Sequence, residues 1–401
     1  MKQYDNYADL ITFTRASSAT YLDSDGILKT ASTNEPRIEY DSDGNRLGLL
    51  VEEARTNLVT YSEDFSQWVN QASSDSVASD ITAPDGTQNT IEIIEEASIN
   101  YHSVYIVFGA ASANWTVSVY IKQKNLGRYI QLRPFGLGSD VAWVTFDPSD
   151  GSVYESGGAY LVNTDSQFIG DGWYRVSMTC SESLLSGDGI QFSITDGTSG
   201  ELPVYTGDGT SGVYVWGAQL EAGSFPTSYI PTSGSTATRS SDVATIGVSE
   251  FGYNSSEGTV FVDFNASGWF NQPNDGNFSR VFEFGGNTGS NADGIFRDPV
   301  SNSVRYRFNE DDGTTPAIGA ANLSLVSSGG DKVAVSLKSG DNAIVMNGGT
   351  VAYGSGSAAT NLYNLIYFGK RVDGLYLNGH IKSLRYYPRR LTNSQLQELT
   401  S

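Results

Sequence analysis

The chain has 401 residues, of which 39% are hydrophobic and only 17% are charged, and its net charge is −21. This length suits two or three domains of about 150 residues, and the scarcity of strong helix formers excludes a mainly helical protein. The acidic balance excludes electrostatic nucleic-acid binding, and no run approaches the roughly 18 apolar residues that membrane insertion requires.

Residues 1–60 are predicted to form an anchoring arm rather than an independent domain. Two related stretches, YLDSDG at 21–26 and YDSDG at 40–44, each place an Asp/Ser turn closed by Gly after a tyrosine. Glycine occupies the positive-φ position of such turns at little cost. The short strands between these turns bury too little surface to fold alone, so we expect the arm to pack on a larger domain or on a partner.

Residues 61–232 are predicted to form a jelly roll. In the run from Trp115 to Ile121, Trp, Val, Val and Ile fall on one face and Thr, Ser and Tyr on the other, which is the period of a half-buried strand. Eight such strands suit two packed antiparallel sheets. They are Asn89–Ile94, Tyr101–Phe108, Trp115–Lys122, Tyr129–Leu132, Ala142–Phe146, Trp173–Cys180, Ile190–Ile194 and Gly212–Leu220.

The same segment carries most of the charge. Residues 61–238 contain 5 basic and 20 acidic residues, a net charge of −15. Such a domain repels nucleic acid and anionic surfaces. The tryptophans Trp143, Trp173 and Trp216 all fall in strand patterns and are predicted to be core residues. Cys180, the only cysteine, lies in a strand pattern and is predicted to be a buried, inert thiol.

Residues 233–244 are predicted to be a linker. Before them, Phe225-Pro226 and Ile230-Pro231 favour extended chain, because the residue before proline disfavours helix. The Ser, Thr, Gly and Ala tract that follows is typical of a flexible link. It would separate the jelly roll from a second domain.

Residues 245–401 are predicted to form a second sandwich. Alternating runs such as Gly258–Phe264, Ser303–Phe308 and Lys332–Leu337 indicate strands. A helix is predicted at Thr392–Thr400, with Thr392 as its N-cap. The fold class is therefore all-β: two antiparallel β-sandwiches preceded by an extended N-terminal anchoring arm.

Three stretches resemble virion structural proteins of tailed bacteriophages. They are residues 11–58 (ITFTRASSATYLDSDGILKTA to EARTNL), 213–242 (VYVWGAQLEAGSFPTSYIPTSGSTATRSSD), and LIYFG with GHIKSLRYYPRRLTNSQL at 365–396. The first is similar to a module at the start of phage tail and capsid-surface proteins. The second resembles the end of a carbohydrate-binding-module-like sandwich. The third resembles the close of a concanavalin A-like (laminin G-like) lectin/glucanase domain, and it indicates a fold rather than a function.

The residues argue against an enzyme. His102 and His380 are the only histidines, and neither lies near a nucleophile-elbow sequence. Glycoside hydrolysis needs only two carboxylates about 5–10 Å apart. The Glu-x-Asp-x-x-Glu run of retaining glucanases with the concanavalin A-like fold is absent, and Glu92, Glu95 and Glu96 do not match it. A polysaccharide-degrading depolymerase stays an alternative.

Carbohydrate binding without hydrolysis needs exposed aromatic rings beside planar polar groups. Loop-like runs of this kind occur in the second sandwich, and ordinary turn chemistry with core aromatics is the alternative explanation. The candidate glycan contacts are Trp269, Phe270, Asn271, Asp293 and Asn309.

No cofactor is required, but structural calcium is compatible with Asp and Asn oxygens in glycine-rich turns. One candidate group is Asn309, Asp311 and Asp312. The other candidate group is the aspartates of the two DSDG turns. Neither group has EF-hand spacing, so ordinary solvated turns are the alternative explanation for each. These aspartates are Asp23, Asp25, Asp41 and Asp43.

Together these features predict a non-enzymatic protein of the phage virion surface, synthesised in the host cytoplasm because residues 1–5 do not begin a signal peptide. Residues 1–60 would bind other virion proteins, and the sandwiches would act as a decoration protein, head fibre or tail-associated adhesin that contacts host glycans. A purely architectural capsid-stabilising protein is a further alternative. The resemblance favours a homo-oligomer, with a trimer preferred.

Overall fold

The computed structural model describes residues 11–109, 114–266, 279–285, 292–298, 303–307, 319–324, 330–354, 363–370 and 374–401. The strands of its main sheets pair antiparallel. The protein is all-β and contains two antiparallel β-sandwiches, which confirms the predicted fold class.

The N-terminal segment, residues 11–60, contains six short strands. β2 and β3 form a hairpin whose turn is the first DSDG sequence. Gly44 of the second DSDG turn lies against the Ser24 carbonyl, so the two turns are in contact. The strands are Thr12–Thr14 (β1), Ala19–Leu22 (β2), Leu28–Ala31 (β3), Ile38–Tyr40 (β4), Arg46–Val51 (β5) and Arg55–Asn57 (β6).

The middle sandwich confirms all eight predicted strands and adds others at its edges. After a 3-10 turn at Phe65–Gln67, its strands are Val69–Gln71 (β7), Ser73–Val77 (β8), Ile91–Glu95 (β9), Ile99–Asn100 (β10), His102–Val107 (β11), Trp115–Gln123 (β12), Tyr129–Phe135 (β13), Trp143–Phe146 (β14), Val153–Gly157 (β15), Leu161–Gly170 (β16), Trp173–Cys180 (β17), Gly189–Thr195 (β18), Tyr205–Thr206 (β19) and Gly212–Ala222 (β20).

Two six-stranded sheets form this sandwich. The front sheet has the order β15-β14-β13-β18-β11-β7, and the back sheet has the order β16-β17-β12-β20-β9-β8. The inward residues of β12, from Trp115 to Ile121, are fully buried against Leu132 and Phe192 of the front sheet. Alternation along each strand thus divides core from surface, as the sequence predicts.

The predicted core tryptophans are all buried, although not all between the two sheets. Trp173 and Trp216 lie on the outer side of the back sheet, where Leu22 and Tyr229 cover them. Trp143 lies on the outer side of the front sheet and is 7% exposed. The N-terminal segment therefore covers apolar surface of the middle sandwich. Cys180 is also buried, and desolvation raises the pKa of its thiol to about 11.

The second sandwich follows. A 3-10 turn, Val248–Glu250, precedes its main strands. The elements are Ala237–Arg239 (β21), Val243–Gly247 (β22), Glu257–Asn265 (β23), Arg280–Gly285 (β24), Ala292–Asp298 (β25), Ser303–Arg307 (β26), Gly319–Ser324 (β27), Asp331–Lys338 (β28), Asn342–Met346 (β29), Ala352–Gly354 (β30), Leu365–Phe368 (β31), Gly379–Tyr387 (β32) and the helix Asn393–Thr400 (α1).

The N-terminal segment supplies strands to both sheets of this C-terminal sandwich. In the described residues one sheet has the order β1-β22-β31-β24-β25-β26-β27, and the other β30-β29-β28-β23-β32-β5-β4. Phe13, Leu49 and Val51 are part of its buried core. The packing predicted for the N-terminal arm on a larger domain is thus observed, for residues 11–60, within the chain.

The segment predicted to be a flexible link, residues 233–244, is instead held in place. β21 pairs with β6 of the N-terminal segment, and β22 pairs with β1 and β31. Arg239 is 1% exposed and Asp242 is fully buried. The Ser and Thr content of this stretch indicated flexibility, but its charged residues have buried partners elsewhere in the chain.

The predicted C-terminal helix is confirmed as α1. Thr392 accepts a hydrogen bond from the Gln395 N–H, and Gln395 accepts one from the Thr392 N–H, which makes a capping box. Leu396 is buried against β28 and β29. Within the described ranges no helix is both long and apolar enough to cross a membrane.

Candidate functional site

The residues predicted to bind glycan or calcium in the C-terminal sandwich lie outside the described residues. Of Asp293 only the backbone, in β25, is described. The remaining candidates are Trp269, Phe270, Asn271, Asn309, Asp311 and Asp312. The glycan-binding and calcium-binding roles of these residues and of Asp293 stay predictions.

The first aspartate of each DSDG turn, Asp23 or Asp41, binds the backbone of its own turn. Asp23 accepts hydrogen bonds from the N–H groups of Asp25 and Ile27, both at 3.0 Å. Asp41 accepts equivalent bonds from two N–H groups of its own turn. In the part of the chain that the structure describes, no group of three or more His, Cys, Asp or Glu side chains is placed to hold a metal ion.

The outward face of the front sheet carries polar and aromatic side chains in register. Along β13, Leu132 points into the core, so Gln131 and Arg133 point outward. Arg133 lies opposite Gln191 of β18, and Gln191 lies opposite Tyr105 of β11. Three neighbouring strands thus place an arginine, an amide and an aromatic ring side by side.

An aromatic pair forms the open end of this face. The rings of Tyr105 and Phe135 stack with centroids 3.8 Å apart and planes 8° apart, and both residues are half-buried. Val69 and Val107 beside them are 49% and 45% exposed. Between Val107 and Phe135, β18 contributes Gly189, so bare backbone lies between apolar side chains. The result is an exposed apolar patch.

Next to this patch lies a network of fixed polar groups. Arg133 donates from Nε to Glu201 at 2.8 Å and from Nη1 to the Gln191 side-chain oxygen at 2.9 Å. Gln191 in turn donates to the Ser103 hydroxyl at 2.7 Å. Because buried polar groups are stable when they are hydrogen-bonded, this network holds Arg133 and Gln191 in one orientation.

Residues 196–204 cross the other end of the outward face and cover it. Gln131 is fully buried although it points away from the core. Its side-chain amide donates to the Gly200 carbonyl at 3.0 Å and accepts from the Leu202 N–H at 2.9 Å. The 196–204 loop therefore occupies the polar groups of this end.

A carboxylate on β15 also binds the 196–204 loop. Glu155 accepts a hydrogen bond from the Ser199 hydroxyl at 2.6 Å and another from the Gly200 N–H at 2.9 Å. The Ser199 hydrogen bond, followed by that of Gly200, lowers the pKa of Glu155 below its ordinary value. The ionised form of Glu155 is thus the one that holds the loop.

A second charged region lies buried where the N-terminal segment meets both sandwiches. Asp242 lies 3.1 Å from Arg15 and 2.5 Å from Arg37, and Glu52 lies 2.8 Å from Arg37. Arg239 lies 3.5 Å from Glu52. These five side chains, from 0% to 6% exposed, are called the charge cluster.

Backbone carbonyl groups also bind the arginines of the charge cluster. Its arginines donate to the carbonyls of Ser32, Thr20 and Glu53 at 2.7–2.9 Å. Burial opposes the ionisation of Glu52, but Arg239 and Arg37 together with the Ser228 hydrogen bonds hold its pKa well below the ordinary value. The cluster thus ties β1, β4, β5 and residues 239–242 together.

Sequence reasoning missed this cluster. Its residues belong to the first and second stretches that resemble phage proteins, TFTRAS, EPRIEY, LLVEEA and ATRSSD. The signal in the sequence was a charged residue inside or directly after an apolar strand pattern. It occurs in each of these four stretches. Because charged residues are rarely buried unless paired, each of these residues predicts a charged partner. The sequence does not show which partner, since paired residues lie up to 227 positions apart.

The two histidines both have structural contacts. His102 is fully buried, with Nδ1 2.5 Å from the Ala72 carbonyl and its ring edge-on to Tyr205. His380 lies 2.6 Å from Glu39 and joins β32 to β4. Each ring therefore packs against or pairs with a neighbouring element.

An open depression of about 440 Å³ lies between β6 and the end of β20. Its charged groups are Arg55 and Glu53, which pair with each other at 2.5 Å. The Arg55 guanidinium also lies over the Phe225 ring, 4.9 Å from the centroid. Both charges are engaged inside the chain, so the outward face of the front sheet is the stronger candidate.

No protein-family model matches the chain, and no curated protein matches it. Among solved structures, it is similar to the mouse laminin alpha1 chain, domains LG4-5, with 12% identity and a TM-score of 0.25 over 74% of this chain and 92% of that one. It is also similar to Trypanosoma rangeli sialidase in complex with the inhibitor DANA, with 10% identity and a TM-score of 0.28 over 78% and 60%. Likenesses this slight assign no activity, so function has to be argued from the chain's own residues.

Proposed function

We propose that this chain is a non-enzymatic adhesive protein of a bacteriophage virion surface, and that its middle sandwich binds host glycans through the front sheet. The N-terminal segment attaches it to other virion proteins. The proposed glycan contacts lie on the outward face of the front sheet rather than in the loops of the C-terminal sandwich.

The observation that carries the proposal is the aromatic pair Tyr105–Phe135 next to Arg133 and Gln191. A sugar has apolar C–H surfaces and a rim of hydroxyl groups. Small-molecule sites combine apolar and aromatic side chains with a few fixed polar groups, and this face has the same composition. Exposed patches of this kind on soluble domains commonly mark interaction sites.

The charge of the middle sandwich favours a class of glycan. Residues 61–238 carry 5 basic and 20 acidic residues. A net charge of −15 repels anionic polymers at low ionic strength. We therefore expect neutral host polysaccharides to bind in preference to anionic ones.

Attachment to the virion is proposed at the edges of the C-terminal sandwich. β1 and β4, both from the N-terminal segment, are the outer strands at one edge of its two sheets in the described residues. An edge strand presents unpaired N–H and C=O groups that a strand of another chain can extend. Another virion protein, or a second copy in a homo-oligomer, would bind there.

The test is binding of purified protein to polysaccharide from the host surface. We expect the double variant Tyr105→Ala/Phe135→Ala to bind about tenfold more weakly or worse, because central aromatic residues dominate binding energy. Phe168→Ala is the matched control, since Phe168 is a 42% exposed aromatic residue on β16 of the back sheet. Equal binding by wild type and the double variant would overturn the proposed site.

Two further measurements test the proposed virion location and the proposed lack of glycan cleavage. Antibody against this chain should label intact particles, and an unlabelled particle surface would contradict a virion role. Incubation with host capsule should release no new reducing ends. Their appearance would favour the depolymerase alternative.

A further inference from the structure

We infer that the 196–204 loop is an opening strap over the glycan-binding face, and that opening frees Gln131 to bind the acetamido group of an N-acetylated sugar. The inference rests on the proposed function and concerns the regulation and ligand class of the same face. Three features of the described residues support it.

The first feature is the polarity of the surface under the loop. Gln131, Thr145, Ser193 and Thr195 point outward from the front sheet, yet each is at most 3% exposed. A loop that serves stability alone gains most by covering apolar side chains, because buried polar groups cost free energy unless they are hydrogen-bonded. The covered surface instead continues the polar row of the open end.

The second feature is the backbone of the loop. Gly197 and Gly200 have φ of +89° and +104°, and Leu202 has φ of +48°. A residue with a Cβ in the left-handed region costs about 1–2 kcal/mol. The closed loop therefore contains a strained leucine, and Gly200, which has no neighbouring atom in contact, is a position at which the chain can rotate.

The third feature is the way the loop is held. Polar side chains attach its centre: Gln131 and Glu155 bind Gly200, and Arg133 binds Glu201. The Tyr154 hydroxyl also donates to the Gly197 carbonyl at 3.0 Å. Within the loop only Pro203 is buried, and Val204 is 57% exposed. Strand β18 anchors one end and β19 the other. Segments with few apolar contacts open at low free-energy cost while the rest of the domain stays folded.

The bonds of the closed loop indicate the chemistry that can replace it. Gln131 holds one carbonyl and one N–H of the loop at 3.0 Å and 2.9 Å. A ligand that takes their place has to supply the same acceptor and the same donor. The acetamido group of an N-acetylated sugar carries an amide carbonyl and an amide N–H of the same chemical kind as the loop groups, and its carbonyl is a stronger acceptor than the hydroxyl groups of other sugars.

The test combines hydrogen exchange with binding of N-acetylglucosamine oligomers and glucose oligomers of equal length. Glu155→Ala removes two bonds to the loop and leaves Gln131 in place. We expect exchange of the 196–204 amides to rise about tenfold, because Glu155 holds the loop with two charge-assisted hydrogen bonds but is only half-buried, which keeps their net contribution small. N-acetylglucosamine oligomers should bind several-fold more tightly to this variant, and glucose oligomers should be unaffected.

Glu92→Ala is the matched control, because Glu92 also lies on a strand and accepts from a serine hydroxyl, that of Ser76 at 2.7 Å, but on the back sheet. It should change neither measurement. Gln131→Ala should raise exchange of the loop and abolish the preference for N-acetylated oligomers. Gly200→Ala, which strains a φ of +104° with no neighbouring atom in contact, should raise exchange and tighten binding.

The outcomes separate the two proposals. If loop exchange equals that of β13 and β18 in every variant, or if loosened variants bind N-acetylglucosamine oligomers more weakly, the strap is overturned and the proposed glycan function can stand. If exchange rises as expected but no variant binds either oligomer or host polysaccharide, strap opening is supported and the glycan function is overturned. Equal preference in wild type and Gln131→Ala overturns the assigned ligand class.

Discussion

The charge cluster and the outward face of the front sheet use the same chemical groups in different enclosures. Both pair arginines with carboxylates. In the charge cluster Arg15 and Asp242 are fully buried. On the front sheet Arg133 is 8% and Glu201 is 12% exposed, and apolar surface at Tyr105 and Phe135 is open beside them. The charge cluster is enclosed and can only join parts of the chain. The front-sheet network borders an exposed apolar surface that a ligand can reach.

The burial of an ion pair also decides how much it contributes to the free energy of unfolding. Removing water from two charges costs several kcal/mol, so a buried ion pair adds little net stability. Breaking such a pair by removing one partner is expensive, because the other charge stays buried. The charge cluster therefore specifies how the N-terminal segment joins the sandwiches more than it raises the overall free energy of unfolding.

The largest expected effect is that of Asp242→Asn. Asp242 neutralises Arg15 and Arg37 and accepts the Glu52 N–H at 2.9 Å. Its loss leaves three buried arginines with one carboxylate, and we expect the free energy of unfolding to fall by about 3–5 kcal/mol. Urea unfolding followed by tryptophan fluorescence measures this. A loss below 1 kcal/mol would contradict the enclosed role of the cluster.

Acid should weaken the same region. The pKa of Glu52 is lowered in the folded state, so its contribution is present above the ordinary value of about 4.3 and is lost as the pH falls toward the folded pKa. Stability of the wild type should therefore decline below about pH 4.3. Glu52→Gln should be less stable at pH 6, and its difference from wild type should narrow toward pH 3, measured as urea midpoints. A constant difference would contradict the linkage.

The fold was largely predictable because period-2 alternation survives in central strands of the middle sandwich such as β12 and β18. The run Trp115–Ile121 predicts its own buried face, and β12 has that face. Edge strands were harder: Leu161–Gly170 is mostly exposed on both faces and gives no alternating signal. The helix α1 was predictable from its cap, because Thr392 and Gln395 satisfy each other locally.

The sites were less predictable, because they depend on strands distant in sequence. Arg15 and Asp242 are adjacent only after β1 pairs with β22. Tyr105 and Phe135 stack only because β18 lies between their strands. A Ser- and Thr-rich stretch such as 233–244 is typical of a link, and only the buried partners of Arg239 and Asp242 make it part of the fold.

An intermediate effect is expected for Glu201→Gln on the front sheet. Its Oε1 lies 2.8 Å from Arg133 Nε, and its other oxygen accepts the Asp140 N–H at 2.6 Å. When the pair is broken Arg133 keeps its hydrogen bond to Gln191, and residue 201 is 12% exposed, so water can reach it. We expect a loss of about 1–2 kcal/mol in the free energy of unfolding. A loss as large as that of Asp242→Asn would remove the distinction between the two regions.

The smallest effect is expected for an ion pair of similar length that is open to solvent. Lys122 lies 2.9 Å from Asp171, whose side chain is 77% exposed. Asp171 has φ of +48°, a conformation that asparagine tolerates as well as aspartate. Asp171→Asn therefore removes the charge without adding backbone strain, and exposed pairs contribute about 0.2–1 kcal/mol. With distances near 3 Å in all three pairs, the ranking of Asp242, Glu201 and Asp171 in urea unfolding tests enclosure rather than bond length. If Asp171→Asn costs as much as Glu201→Gln, partial burial of the front-sheet network adds nothing, and the case for a preorganised binding face there is lost.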